Sequence, residues 1–236
     1  MAASATGSIH VAGVIDLAEA QVLIDCGIRY LGFPLVLDHH KEDLTIDAAA
    51  AIVSKFRNHA TFFLITYLNR ARAIHELCHA LSVDMVQLHG ETSVEQIQLL
   101  RQEAPKLRII KSLIVRGGDA GPLIDEVQRY EPTVDSFITD TFDPVAGASG
   151  ATGRVHDWEI SRRLVESSTR PVILAGGLNA TNVRRAIHAV GPAGVDIHTG
   201  IEGRDGRKRY DLTKRFVEEA QAGFADIGSL EGDRFG

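Results

Sequence analysis

Short apolar runs rich in β-branched and aromatic residues alternate along the chain with longer segments whose apolar residues recur three or four positions apart. The short runs are 9–13, 29–36, 61–66, 84–89, 108–115, 134–140, 171–177 and 194–199. The longer ones lie near 16–26, 46–58, 70–81, 93–104, 119–130, 157–167, 179–190 and 211–222. A period near two marks a strand and a period near 3.6 a helix, so the pattern predicts eight strand–helix units. Strands separated by helices run parallel, with right-handed crossovers. Eight such units in 236 residues predict an α/β fold of the closed (β/α)8 TIM-barrel type. A doubly wound open sheet is the alternative, but the first strand is not followed by a dinucleotide-type glycine fingerprint.

Helix starts carry capping residue types: Asp16 before the first helix, Asp47 before the second and Asn179 before the seventh. With no Pro/Gly/Ser linker or long charge run, residues 1–236 read as one domain, with a loose Gly-rich tail expected from about 223 to 236. Apolar residues make up 44% of the chain, enough for a large core, and the net charge is -6. Without a basic stripe, nucleic acid is not expected as a partner, whereas a small anion held by a few backbone N–H groups is compatible with this charge. Cys26 and Cys78 fall in helical segments outside any Cys-x-x-Cys spacing and read as buried free thiols of a reducing compartment. The amino-terminal Met-Ala-Ala-Ser-Ala-Thr-Gly-Ser stretch has no basic or apolar leader pattern, and no apolar run approaches the ~20 residues of a membrane span. These features predict a cytoplasmic protein with no membrane partner, as a monomer or homodimer.

In such a barrel, chemistry belongs on the loops at the carboxyl ends of the strands. Three consecutive loops there are glycine-rich: 147–153 after the sixth strand, 175–179 after the seventh and 198–203 after the eighth. Glycines let the backbone approach a ligand, and successive N–H groups form an anion nest. Gly150, Ala151, Thr152, Gly153, Gly176, Gly177, Thr199 and Gly200 are therefore candidate phosphate-binding residues. Asp140 ends the sixth strand; if Ile138 faces into the barrel, the period of two points Asp140 inward as well. A partly buried carboxyl there can hold its proton and act as a general acid. Asp143 reads as loop bracing.

Several stretches, in order over roughly 9–222, resemble the phosphoribosylanthranilate isomerase family: 86–91 (Val-Gln-Leu-His-Gly-Glu), 109–111 (Ile-Ile-Lys), 139–141 (Thr-Asp-Thr), 150–154 with Asp157-Trp158, 174–179 (Leu-Ala-Gly-Gly-Leu-Asn), and Gly194-Val195-Asp196 leading to 199–202 (Thr-Gly-Ile-Glu). The resemblance implies an isomerase of tryptophan biosynthesis that performs an Amadori rearrangement of an aminoaldose phosphate, without metal or cofactor. A general acid, which falls at Asp140, protonates the ring oxygen; the ring opens to a Schiff base; a general base removes the C2′ proton.

The chain departs from that family at three places. Its first strand reads His10-Val11-Ala12-Gly13, with Ala12 where the family places its catalytic cysteine. Residues 37–43 are acidic and His-rich where the family carries an arginine, and His198 replaces a small hydroxyl residue. His10 and His198 are the candidate replacement bases, since imidazole titrates near neutrality. Ala12, His39, His89 and Asn179 are expected to line the substrate. His10, Asp38, His39, Asp140 and His198 form a conceivable metal set, but no diagnostic spacing supports it, and no metal is assigned. Three readings remain open: an isomerase with a relocated base; a divergent epimerase, isomerase or lyase on another sugar phosphate; and a non-catalytic phosphate-ligand binder.

Overall fold

The computed structural model describes residues 7–37, 44–143, 148–149 and 158–232. Eight parallel strands, β1 (Ser8–Ala12), β2 (Tyr30–Pro34), β3 (Thr61–Thr66), β4 (Met85–Leu88), β5 (Arg108–Val115), β6 (Ser136–Asp143), β7 (Val172–Leu174) and β8 (Gly194–Ile197), pair in chain order. β1 also pairs with β8, so the sheet closes on itself. The connecting helices are α1 (Leu17–Asp25), α2 (Ile46–Phe56), α3 (Ala71–Leu81), α4 (Val94–Glu103), α5 (Gly121–Tyr130), α6 (Trp158–Ser167) and α7 (Val183–Val190), with α8 (Tyr210–Gly232) after β8. The fold is a (β/α)8 TIM barrel. A two-residue strand, Ala148–Ser149, folds back antiparallel onto the end of β6.

The strands are apolar on both faces because both are covered. Val11, Leu31, Phe33, Leu64, Val86 and Phe137 belong to the core between sheet and helices. Ala12, Phe63, Ile65, Met85, Ile110, Ile138, Ile173 and Ala175, with Tyr30 beside them, fill the barrel itself.

The helix starts show how local chemistry sets the boundaries. Asp16 Oδ1 accepts the Glu19 N–H at 2.8 Å and caps α1 as expected. At α2 the cap is Thr45, whose hydroxyl accepts from Ala48 N, and Asp47 sits inside the first turn. At α7 the helix begins only after Asn182; Asn179 closes the preceding turn by accepting from Thr181 N at 2.8 Å.

The loose tail expected from about 223 is corrected over its described part, because α8 continues to Gly232. Its glycines conceal an anchoring face. Phe224 packs on Gly7, and both Phe224 and Ile227 lie against the outer core. Between them Asp226 accepts from Arg184 and pairs with His188, each at 2.9 Å. Deleting residues 223–236 is expected to lower unfolding free energy in urea by at least about 2 kcal/mol, the value of burying one large apolar side chain. A loose tail would leave it unchanged.

Candidate active site

The strand registers bring particular side chains together at the carboxyl end of the barrel. Ile138 pairs with Ile173 and Ile173 with Gly194. Two residues further along each strand stand Asp140, Ala175 and Asp196, on the same inward face. Asp140 thus faces inward, as its parity with Ile138 predicts. Its Oδ1 accepts the Thr141 N–H at 2.8 Å, and its Oδ2 lies 3.8 Å from His89 Nδ1. His89 Nδ1 is also 3.1 Å from Ser112 Oγ, which accepts from Gln87 Nε2. The edge contact of His89 with the Tyr67 ring, at 4.8 Å between centroids, fixes its orientation further. Burial pushes the Asp140 carboxyl above its ordinary pKa, against the opposing pull of His89 and the Thr141 N–H. Asp196 is pushed well above the carboxylate range, by burial first and then by the charge of Asp140, with Lys208 opposing. Its Oδ1 is buried without a hydrogen-bond partner among the described residues.

The last two glycine-rich turns meet beside these carboxyls. Gly176 and Gly177 have φ of 100° and 65°, in the left-handed region that favours glycine. Asn182 pins the turn by donating to Gly177 O at 3.0 Å and accepting from Asn179 N at 2.8 Å. After β8 the chain makes a 3-10 turn, Thr199–Ile201. A Cβ on Gly200 would stand 2.0 Å from the Leu178 carbonyl oxygen, so the two turns are in direct contact. Gly176, Gly177, Thr199 and Gly200 therefore share one rim of the barrel mouth. Gly150, Ala151, Thr152, Gly153 and His39 lie outside the described residues.

The two candidate bases occupy different levels. His10 is buried deep in the barrel, stacked on Tyr30 at 4.5 Å, with Nε2 3.2 Å from Ser8 Oγ near the amino end of β1. Burial, assisted by Arg108, lowers its pKa to about 3, so it is neutral. Its assignment as a base is corrected: it precedes Ala12 by one inward layer and engages the barrel floor. His198 is at the mouth. It follows β8 as Ala12 ends β1, one step beyond the Val11–Ile197 pairing. Its ring rests on Gly13, where a Cβ would meet Nε2 at 2.2 Å. His198 Nε2 is 3.5 Å from Glu202 Oε1, and that oxygen is 3.2 Å from Lys208 Nζ.

Lys208 Nζ also donates to Gly13 O at 2.8 Å. The Glu19 carboxylate accepts from Lys208 N at 2.8 Å and Ile15 N at 3.1 Å. These bonds tie the first strand–helix turn to the loop after the last strand. Sequence reasoning missed Lys208, because Gly-Arg-Lys-Arg reads as a solvated basic loop, and gave no role to Glu202 or Asp196. The one usable sign was an acidic residue at the inward parity of an otherwise apolar last strand. Asn179 is also corrected: its side chain accepts from Thr181 N and Oγ1 within its own turn instead of lining substrate. Among the described residues, no three His, Cys, Asp or Glu side chains are grouped to hold a metal, and no helix is long and apolar enough to cross a membrane.

Residues 37–219 match the sequence model described as N-(5'phosphoribosyl)anthranilate (PRA) isomerase. The chain belongs to the phosphoribosylanthranilate isomerase family. Over 224 residues it is 37% identical to N-(5'-phosphoribosyl)anthranilate isomerase 2 of Methanosarcina mazei, covering 94% of this chain and 97% of that protein. Against the family's Halorubrum lacusprofundi enzyme the identity is 31%, over 90% and 95% of the two chains. Among solved structures, the phosphoribosylanthranilate isomerase of Thermotoga maritima superposes with a TM-score of 0.77 at 25% identity, covering 91% and 98%. The Pyrococcus furiosus isomerase, at 23% identity and a TM-score of 0.75 over 91% and 98%, shares the fold.

Two outcomes follow from this family site. Gly200→Ala drives a methyl into the Leu178 carbonyl, separating the turns, and is expected to weaken inorganic phosphate binding measured by calorimetry. His10→Phe keeps turnover. Because His10 has a folded pKa of about 3 against 6.5, acid favours the unfolded chain increasingly as pH falls through that interval. The variant should therefore gain stability over the parent between pH 7 and pH 4.5, read as urea midpoints.

Proposed function

We propose that this chain isomerises N-(5′-phosphoribosyl)anthranilate to the corresponding 1-deoxyribulose 5-phosphate, with Asp140 as general acid and His198 as general base. The observation that carries the base assignment is a spatial exchange. The position of the family's cysteine holds only the Ala12 methyl, and the His198 ring from the adjoining strand covers the neighbouring Gly13. Glu202, 3.5 Å from Nε2, favours the imidazolium that forms when the ring takes a proton.

The Asp140 carboxyl gives its proton to the ribose ring oxygen. The C1′–O bond breaks toward that oxygen, and the anthranilate nitrogen lone pair forms the C1′=N bond. His198 removes the C2′ proton, and the released pair forms C1′=C2′ while the iminium electrons return to nitrogen. Protonation at C1′ and loss of the 2′-hydroxyl proton complete the ketone. No electrons leave the molecule, so the chemistry uses neither redox partner nor cofactor. The phosphate is assigned to the backbone N–H groups of the turns carrying Gly176, Gly177, Thr199 and Gly200, with Gly150–Gly153 completing the cradle. His89 is assigned to steering Asp140, which its contacts with Ser112 and Tyr67 support.

We also read the protein as cytoplasmic, since Cys26 and Cys78 are both free and buried, and as a monomer or homodimer. A neighbouring structure is of monomers generated from a dimeric Thermotoga maritima enzyme.

Loss of anthranilate-type fluorescence on adding the substrate measures turnover. Asp140→Asn and His198→Gln are each expected to lower kcat by about 10²–10⁴-fold, the usual effect of removing a general acid or base. Introducing Ala12→Cys into the His198→Ser background should recover part of the loss. Turnover unaffected by His198→Gln would reject the base assignment; no turnover by the parent would reject the reaction.

A further inference from the structure

Lys208 enters none of the steps above, yet its side chain is buried beside the proposed base, with 1% of it exposed. Its backbone is fixed first. Lys208 N donates to Glu19 at 2.8 Å, Gly203 N donates to Arg207 O at 2.8 Å, and a single antiparallel bridge joins Glu202 to Lys208 across the loop. The ammonium is then held between two partners: it donates to Gly13 O at 2.8 Å and lies 3.2 Å from Glu202 Oε1. The same two partners meet His198. Glu202 Oε1 is 3.5 Å from its Nε2. Gly13 lies against the Nε2 end of the ring, since a Cβ there would stand 2.2 Å from Nε2 and 2.8 Å from both Cδ2 and Cε1. Lys208 therefore sets the position of two groups that enclose Nε2. A carboxylate oxygen at ion-pair distance attracts an N–H and repels a lone pair. A neutral imidazole carries one of each, so the Glu202 charge favours the proton on Nε2 and the lone pair on Nδ1.

We infer that Glu202 and Lys208 are positioning residues that hold His198 as its Nε2–H tautomer, so that Nδ1 is the nitrogen that takes the C2′ proton. The inference rests on the proposed role of His198 as base and names its reacting atom. The C2′–H bond breaks, its electron pair forms C1′=C2′, and the proton bonds to Nδ1. The ring is then an imidazolium whose Nε2–H faces Glu202. The Nδ1 proton passes on to C1′, and the Nε2–H stays in place through the cycle. Lys208 contributes by pinning the shared oxygen: a glutamate side chain turns about three bonds, and the ammonium holds Oε1 where it faces Nε2. With the Glu202 charge removed, the tautomer preference falls, and rings that carry their proton on Nδ1 have no lone pair there for the C2′ hydrogen.

The experiment records nitrogen-15 NMR spectra of the imidazoles in the ligand-free parent, in Glu202→Gln and in Lys208→Met, with His198→Gln identifying the His198 signals. At a pH where the ring is neutral, the parent is expected to show the Nε2–H pattern. In both variants the Nε2–H share should fall toward a mixture of the two tautomers, a change that loss of packing alone does not produce. In turnover, each variant should lower kcat by about 10–100-fold, the worth of an interaction with a charged partner, with KM little changed. Glu202→Gln keeps the side-chain shape, so it decides the matter even where Lys208→Met does not fold. An Nδ1–H pattern in the parent overturns the inference, as does a tautomer and a kcat that Glu202→Gln leaves unmoved. Intact turnover in His198→Gln rejects the base assignment by itself. The parent spectrum needs no substrate, so it decides whether Glu202 and Lys208 set the tautomer even if the parent does not turn over phosphoribosylanthranilate.

Discussion

The tilt imposed by closing eight strands into a barrel decides which side chains meet. Rows of paired residues descend as they pass around it. One row runs from Asp140 at the mouth through Ala175 and Asp196 to His10, and from His10 to Tyr30 at the floor. Two largely buried carboxyls therefore stand on one inward row, while a histidine on the same row is sunk beneath them. Burying such groups costs stability, and the apolar layers on both faces of every strand offset it.

Much of this was legible in the residues. Alternating periodicity yields the eight strands and helices, with β3 and β5 recovered at both ends. Parity with Ile138 aims Asp140 correctly, because the side-chain period of a strand admits no intermediate answer. Chain order along the strand also puts His10 below Ala12 on the same inward face; what no local pattern encodes is how completely the other strands enclose its ring and hold it neutral. Asn179 is a capping residue type, but a further turn intervenes before α7, so its side chain closes that turn. Gly223, Gly228 and Gly232 dilute the helical pattern of α8, whose contacts through Phe224 and Ile227 outweigh the local preference. Lys208 looks like its arginine neighbours until the fold places Gly13 O and Glu202 around its ammonium.

The exchange at the barrel mouth separates what a family scaffold requires from what it tolerates. The contact between the turns after β7 and β8 is made by backbone, and it constrains Gly200 absolutely. The reactive group beside it is a side chain, which an adjoining strand can present to the same space. Ala12 and His198 are neighbours across the β1–β8 seam, so truncation at one position makes room for enlargement at the other. The bare Cα of Gly13 completes the accommodation.

That seam has a temporal consequence. Lys208 bonds Glu19 and Gly13 across sequence separations of 189 and 195. A ribosome therefore delivers the opening turns of this protein long before the loop that fastens them. Until that loop emerges, the nascent sheet is an open sheath with its inner carboxyls bathed in solvent, where they ionise as ordinary acids. The dry chamber comes into being in the final moments of synthesis, when the last strand joins the first.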